Sequence, residues 1–167
     1  MATNENPNII SINLWFDAQA EEAARFYTQI FKDSTIEQTS YYGNEGQDIH
    51  GKSAGMVMSV TFTLQGQKFM ALNGGPDFTF NEAISFIVHC DTQEEVDYYW
   101  EKLSANPSAE QCGWLKDQFG VSWQVVPRQL SSLLSDADTE KSQRAMKAML
   151  QMKKLNIAEL QQAFDGE

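Results

Sequence analysis

Two histidines, His50 and His89, are the first side chains to weigh for chemistry, because an imidazole can act as acid, base or metal ligand near neutral pH. His50 lies in the glycine-rich stretch 43–55 and His89 near the end of an alternating segment. Neither has a second ligand beside it in sequence, and a lone histidine is more often structural or exposed than catalytic. Cys90 and Cys112 form no metal-type spacing. Nothing in the sequence pairs a serine or cysteine with a base, as covalent catalysis requires.

A different pattern is more informative. Several segments alternate large apolar residues with small uncharged polar ones. The polar sides carry Ser11, Asn13, Ser59, Thr61, Thr63, Ser85, Ser122 and Gln124, with Trp15, Met70 and His89 on the same side. On ordinary solvent-facing strands Lys and Glu are common, and here they are nearly absent. Small polar groups suit a half-enclosed cavity, where each can satisfy a ligand or water without the desolvation cost of a charge. The competing reading is a solvent face that happens to be rich in Ser and Thr.

The elements that must position these residues follow from periodicity. Ile9–Phe16 reads as a strand, and a helix after Asp17 carries Ala23, Phe26, Tyr27, Ile30 and Phe31 at helical spacing. Thr35–Tyr42 is a second strand, and Met56–Leu64 and Gln67–Asn73 form a hairpin through Gln65-Gly66. The pattern then restarts. Ala83–Cys90 alternates, Thr92 and Glu95 form a capping box, and Val96, Tyr99, Trp100 and Leu103 lie on one helical stripe. Residues 112–127 give a closing hairpin, with Trp123 and Val125 on one face and Ser122 and Gln124 on the other.

The two helix starts align: Asp17-Ala18-Gln19 with Asp91-Thr92-Gln93, and, after the extra Ala20, Glu21-Glu22-Ala23 with Glu94-Glu95-Val96. An internal duplication follows, with Gly74–Asn81 as the linker. In the tail, Asp138 caps a helix running to about Lys154 with Ala145, Met149 and Met152 as its stripe. Asn156 and Glu159 cap a shorter last helix. A methionine stripe of this kind is more often packing than a cofactor site.

Bulk properties narrow the classes. The 167 residues suit one domain or two fused modules, and 42% hydrophobic with 21% charged residues is ordinary for a globular chain. A net charge of −11 argues against nucleic acid or an anionic membrane as partner. The start MATNENPN lacks a signal-peptide layout, and no apolar run nears the roughly 20 residues that span a bilayer. The expected setting is reducing and cytoplasmic.

Two β-α-β-β-β modules in tandem resemble the vicinal-oxygen-chelate superfamily of glyoxalase I, extradiol dioxygenases and bleomycin-resistance proteins. The chain is most similar to its PhnB-like branch, often labelled 3-demethylubiquinone-9 3-methyltransferase. The residues that carry the resemblance are Asn13-Leu14-Trp15-Phe16-Asp17 with Ala23-Ala24-Arg25-Phe26-Tyr27, Phe69 to Pro76, the closing hairpin, and Ala148 to Lys154. The implied fold is α+β: tandem βαβββ modules forming a curved mixed sheet around an open cavity, followed by a C-terminal helical tail. The domain covers 1–127, with modules at about 9–73 and 83–127, and the extension covers 128–167. A homodimer is also implied, since superfamily members commonly pair modules between chains. Whether the tail packs on its own chain or a partner stays open.

In the superfamily's metalloenzymes, His and Glu or Gln ligands come from the first and last strands of each module. The repeat puts those positions at Ser11, Met70, Ser85 and Gln124. Ser and Met are poor ligands for Zn, Ni, Mn or Fe(II), and Gln124 alone matches the pattern. No metal and no other cofactor is therefore expected. Methyl transfer from S-adenosylmethionine usually needs a glycine-rich strand–helix turn. Gly74-Gly75-Pro76 leads instead into Asp77-Phe78-Thr79-Phe80, and Gly43-Asn44-Glu45-Gly46 fits no better. The expected function is binding of a small, partly polar organic molecule by Ser11, Asn13, Trp15, Thr61, Met70, Ser85, His89 and Gln124, with no catalytic residue or reaction assigned. A metal-dependent lyase, isomerase or dioxygenase and a methyltransferase are the alternatives.

Overall fold

The computed structural model describes residues 10–167; Ile9 and the polar start MATNENPN lie outside the described residues. The chain divides into two compact units, 1–79 and 80–167, and the division falls within the expected linker Gly74–Asn81.

The first unit runs β1 (Ile12–Phe16), α1 (Ala20–Ile30), β2 (Ser34–Tyr41), the single turn α2 (Gln47–His50), β3 (Val57–Leu64) and β4 (Gln67–Asn73). Its sheet has the order β1-β4-β3-β2, with β1 parallel to β4 and the other neighbours antiparallel. This is the expected βαβββ unit. The alternation read from sequence fixes its faces: Leu14, Phe16, Val60, Phe62, Phe69 and Ala71 are buried, as are Ala20, Ala23, Ala24, Tyr27 and Ile30 of α1. Tyr27 stacks on Phe62 at 6.3 Å between ring centroids, and Phe62 on Phe69 at 5.2 Å. The β3–β4 turn places both Gln65 (φ 48°) and Gly66 (φ 82°) in the left-handed region that a two-residue hairpin requires.

The second unit runs β5 (Phe86–Cys90), α3 (Gln93–Leu103), β6 (Trp114–Lys116), β7 (Ser122–Pro127), α4 (Gln129–Leu134), α5 (Thr139–Gln151) and α6 (Ile157–Asp165). Its sheet has the order β5-β7-β6, with β5 parallel to β7. The α+β class with mixed sheets is as expected, but this module is βαββ. Where the repeat anticipates a strand after the helix, residues 104–113 hold a 3₁₀ turn at Pro107–Ala109 and a single antiparallel bridge from Gln111 to Trp114. That stretch shows no apolar–polar alternation, and Pro107 cannot donate to a ladder.

The strands that remain keep the register of the first module. Ile12 lies opposite Phe69 as Phe86 lies opposite Trp123, and Asn13 opposite Met70 as Ile87 opposite Gln124. The sequence repeat is thus a structural repeat.

The caps fall where short-range chemistry puts them. Thr92 accepts from Glu95 N, Asp138 from Glu140 N and Lys141 N, and Asn156 from Glu159 N. Glu95 reaches back to Asp91 N at 2.7 Å, one residue before the cap. The tail packs on its own unit: Leu130, Leu133, Ala145, Leu155 and Leu160 form a buried cluster, with Val126 of β7, Met149, Met152 and Phe164 against it. Backbone bonds tie it down, from Cys112 N to Met152 O at 2.8 Å and from Gly113 N to Lys153 O at 2.7 Å. The Gln93 side chain spans the same junction, donating to Leu155 O and accepting from Ile157 N. Among the described residues no helix is long and apolar enough to cross a membrane.

Candidate functional site

In each unit the sequence-predicted residues gather on the sheet face opposite the large apolar core residues. In the first unit, strand register sets Gln38, Thr61, Met70 and Asn13 in one row. A second row holds Ser40, Ser59, Leu72 and Trp15. Asn13 and Met70 are exposed, Thr61 is half-buried, and Ser11 is exposed just before β1. The next row of the same face pairs Thr63 with Lys68, which brings a charge to it. Trp15 is engaged within its own unit. Its Nε1 donates to Gly75 O at 2.8 Å, and Phe78 meets its ring edge-on at 5.0 Å. Gly74 lies flat against the indole, where a Cβ would come within 2.1 Å of the ring.

A cavity of about 210 Å³ opens at the start of α1, lined among others by Asp17, Glu21, Tyr42, Lys52 and Asn73. Its buried polar group is Asn73, which sequence reading passed over. Asn73 Oδ1 accepts from Ala20 N at 2.8 Å and Nδ2 donates to Val57 O at 3.0 Å, while its carbonyl accepts from the Tyr42 hydroxyl at 2.7 Å. It caps a helix whose own N-cap residue, Gln19, provides no side-chain cap. These long-range bonds leave no local signature in the sequence.

In the second unit the polar face is built differently. Gln124 Nε2 donates to Ser85 Oγ at 2.9 Å, so the structure joins two of the four positions where the resemblance implies metal ligands. Gln124 is half-buried; Ser85 sits just before β5. His89 lies on the same face of β5 as Ser85 and Ile87 and is exposed. Register continues the face onto β6, with Trp114 opposite Gln124 and Lys116 opposite Ser122.

Beside this pair lies a cavity of about 300 Å³ lined by Glu82, Ala109, Trp114, Leu115, Lys116 and Ser122. Sequence reading placed Ser122 on the polar face without singling it out, and passed over Glu82 and Lys116. The Lys116 ammonium is paired with Glu82, and that bond holds the Glu82 carboxyl below the usual carboxylate range. The Ser122 hydroxyl is buried and has no hydrogen-bond partner among the described residues. Such a group costs about 1–3 kcal/mol unless something satisfies it.

The metal that the fold family implies is not matched by this donor set. Two serine hydroxyls, a thioether and one amide offer neither imidazole nor carboxylate, and the amide nitrogen of Gln124 is committed as a donor to Ser85. Among the described residues, no three His, Cys, Asp or Glu side chains gather as ligands would. The glycine stretches are equally plain. Gly74-Gly75 runs into a turn, and Gly46 precedes the four-residue α2. Cys90 is fully buried, and burial pushes its thiol up to about 12, which keeps it neutral and unreactive at physiological pH.

Comparison with known proteins agrees with this architecture. A family model described as 3-demethylubiquinone-9 3-methyltransferase matches residues 8–126. Among solved structures, a PhnB protein from Bacillus cereus is 37% identical with a TM-score of 0.59, over 72% of this chain and 99% of that one. A Pseudomonas aeruginosa structure, 20% identical with a TM-score of 0.52, covers 71% of this chain and 96% of its own, a likeness of fold. No curated protein matches the chain.

Proposed function

The chain belongs to the 3-demethylubiquinone-9 3-methyltransferase family, the PhnB-like branch of the vicinal-oxygen-chelate superfamily, and on that footing we propose that it binds a small, partly polar organic molecule without a catalytic metal. The binding surface is the polar face of its sheets, where charges are few. The observation that carries this reading is the Gln124–Ser85 hydrogen bond. At positions where metalloenzymes of the superfamily place ligands, this chain has an amide and a hydroxyl bonded to each other, beside a cavity. An amide–hydroxyl pair recognises neutral or weakly polar groups by hydrogen bonding and gives a divalent cation little to hold. The methyl transfer in the family's name would need a nucleoside-binding turn, which neither glycine stretch supplies. A homodimer belongs to the same proposal, and light scattering checks it.

A thermal-shift screen over small metabolites and divalent metals tests the reading, because a ligand of the native state raises its melting point. We expect organic hits that Gln124→Leu abolishes. Stoichiometric metal in the purified protein, lost in Gln124→Ala, would overturn it.

A further inference from the structure

The cavity beside the Gln124–Ser85 pair has features of its own. Lys116 and Ser122 face each other across the β6–β7 ladder, which brings an ammonium and a buried hydroxyl to neighbouring positions on one face. The Lys116 side chain is mostly enclosed (22% exposed), whereas that of its partner Glu82 is 63% exposed and comes from the turn before β5. The hydroxyl has no hydrogen-bond partner among the described residues. Trp114, Leu115 and Ala109 supply apolar wall.

An exposed carboxylate therefore already occupies the cavity's one ammonium, while the hydroxyl next to it waits for an acceptor or donor. We propose that this cavity is a binding site for a small organic carboxylate with a flat apolar body. Lys116 and Ser122 hold the ligand's carboxylate, Trp114 packs on its body, and Glu82 keeps the carboxylate's place until it is displaced. A single ammonium beside a protein of net charge −11 favours a monoanion over a phosphate dianion. A volume of about 300 Å³ sits at the small end of ligand pockets. The inference rests on the reading that the polar face binds small molecules and adds the chemical class.

Titration of the full chain with benzoate, and with benzamide as its uncharged counterpart, followed by amide NMR shifts, tests it. Benzoate should shift resonances of β6 and β7 and bind at least roughly tenfold tighter than benzamide. Lys116→Gln should erase that preference, and Glu82→Gln should tighten benzoate severalfold because no internal carboxylate has to leave. Ser122→Ala should weaken benzoate roughly tenfold yet raise the melting temperature, since it removes an unsatisfied buried hydroxyl. A purely structural serine would not produce those two opposite changes. Equal binding of the two probes, no binding of either, or benzoate binding indifferent to Lys116 and Ser122 would each overturn the inference. Screen hits that depend on Gln124 would still stand in those cases, so the broader reading fails separately.

Discussion

The indole Nε1 of Trp123 donates to Asp117 Oδ2 at 2.8 Å, inside the turn that joins β6 to β7. The other carboxylate oxygen accepts from Phe119 N at 2.9 Å and Val121 N at 3.0 Å. Asp117 is only 3% exposed. One buried side chain therefore shapes the turn and orients the largest core residue of the second sheet.

Asp117→Ala leaves three donors without their acceptor and should cost about 3–5 kcal/mol of unfolding free energy. Asp117→Asn keeps one oxygen for the loop but sets an amide N–H against the indole N–H when the loop bonds are kept, and should cost about 1–3 kcal/mol. Urea denaturation followed by tryptophan fluorescence checks both, and no loss in the alanine variant would contradict this account of the turn.

Asn73 gives a second, graded test in the first unit. Asn73→Ala removes the cap of α1 and strands Val57 O, for about 2–3 kcal/mol. Asn73→Asp keeps the acceptor and sets a negative charge at the helix N-terminus, but faces Val57 O with a carboxylate. Its stability at neutral pH should lie between wild type and the alanine variant. The ordering, read from chemical denaturation, is the prediction.

Cys90 predicts an alkaline dependence. Burial pushes its thiol up to about 12 in the folded chain, against an ordinary value of 9.0. The folded state thus holds the proton where the unfolded chain releases it. The contribution is complete below about pH 8 and is lost between about pH 9 and 12, at about 1.4 kcal/mol per pH unit. Cys90→Ala should flatten the stability–pH curve above pH 9 relative to wild type. Under native conditions a thiol reagent should modify the half-buried Cys112 and spare Cys90.

Sequence reading succeeded where a residue's role depends on its near neighbours. The caps at Thr92, Asp138 and Asn156 are side chain to backbone within three residues, and the strand faces follow from a period of two. The repeat arithmetic also located Ser85 and Gln124, although not that they bond to each other. It erred where it extrapolated, expecting a full second βαβββ unit from a shared helix start. The short helix α4 escaped notice because six residues give too little periodicity, even with Leu130 and Leu133 buried. Asn73, Asp117 and the Lys116–Glu82 pair depend on approaches that only the folded chain creates.

In both modules the first strand's parallel neighbour is the module's last strand, so neither sheet can close until its final segment has been synthesised. For the second unit the wait is longer, because Cys112 and Gly113 also bond to Met152 and Lys153 near the end of the chain. During vectorial synthesis the first unit can complete its sheet while the second is still an open intermediate. Protease protection of stalled nascent chains should therefore arrive in two steps, one soon after Asn73 emerges and the other only after the tail does. A single concerted step would refute that order.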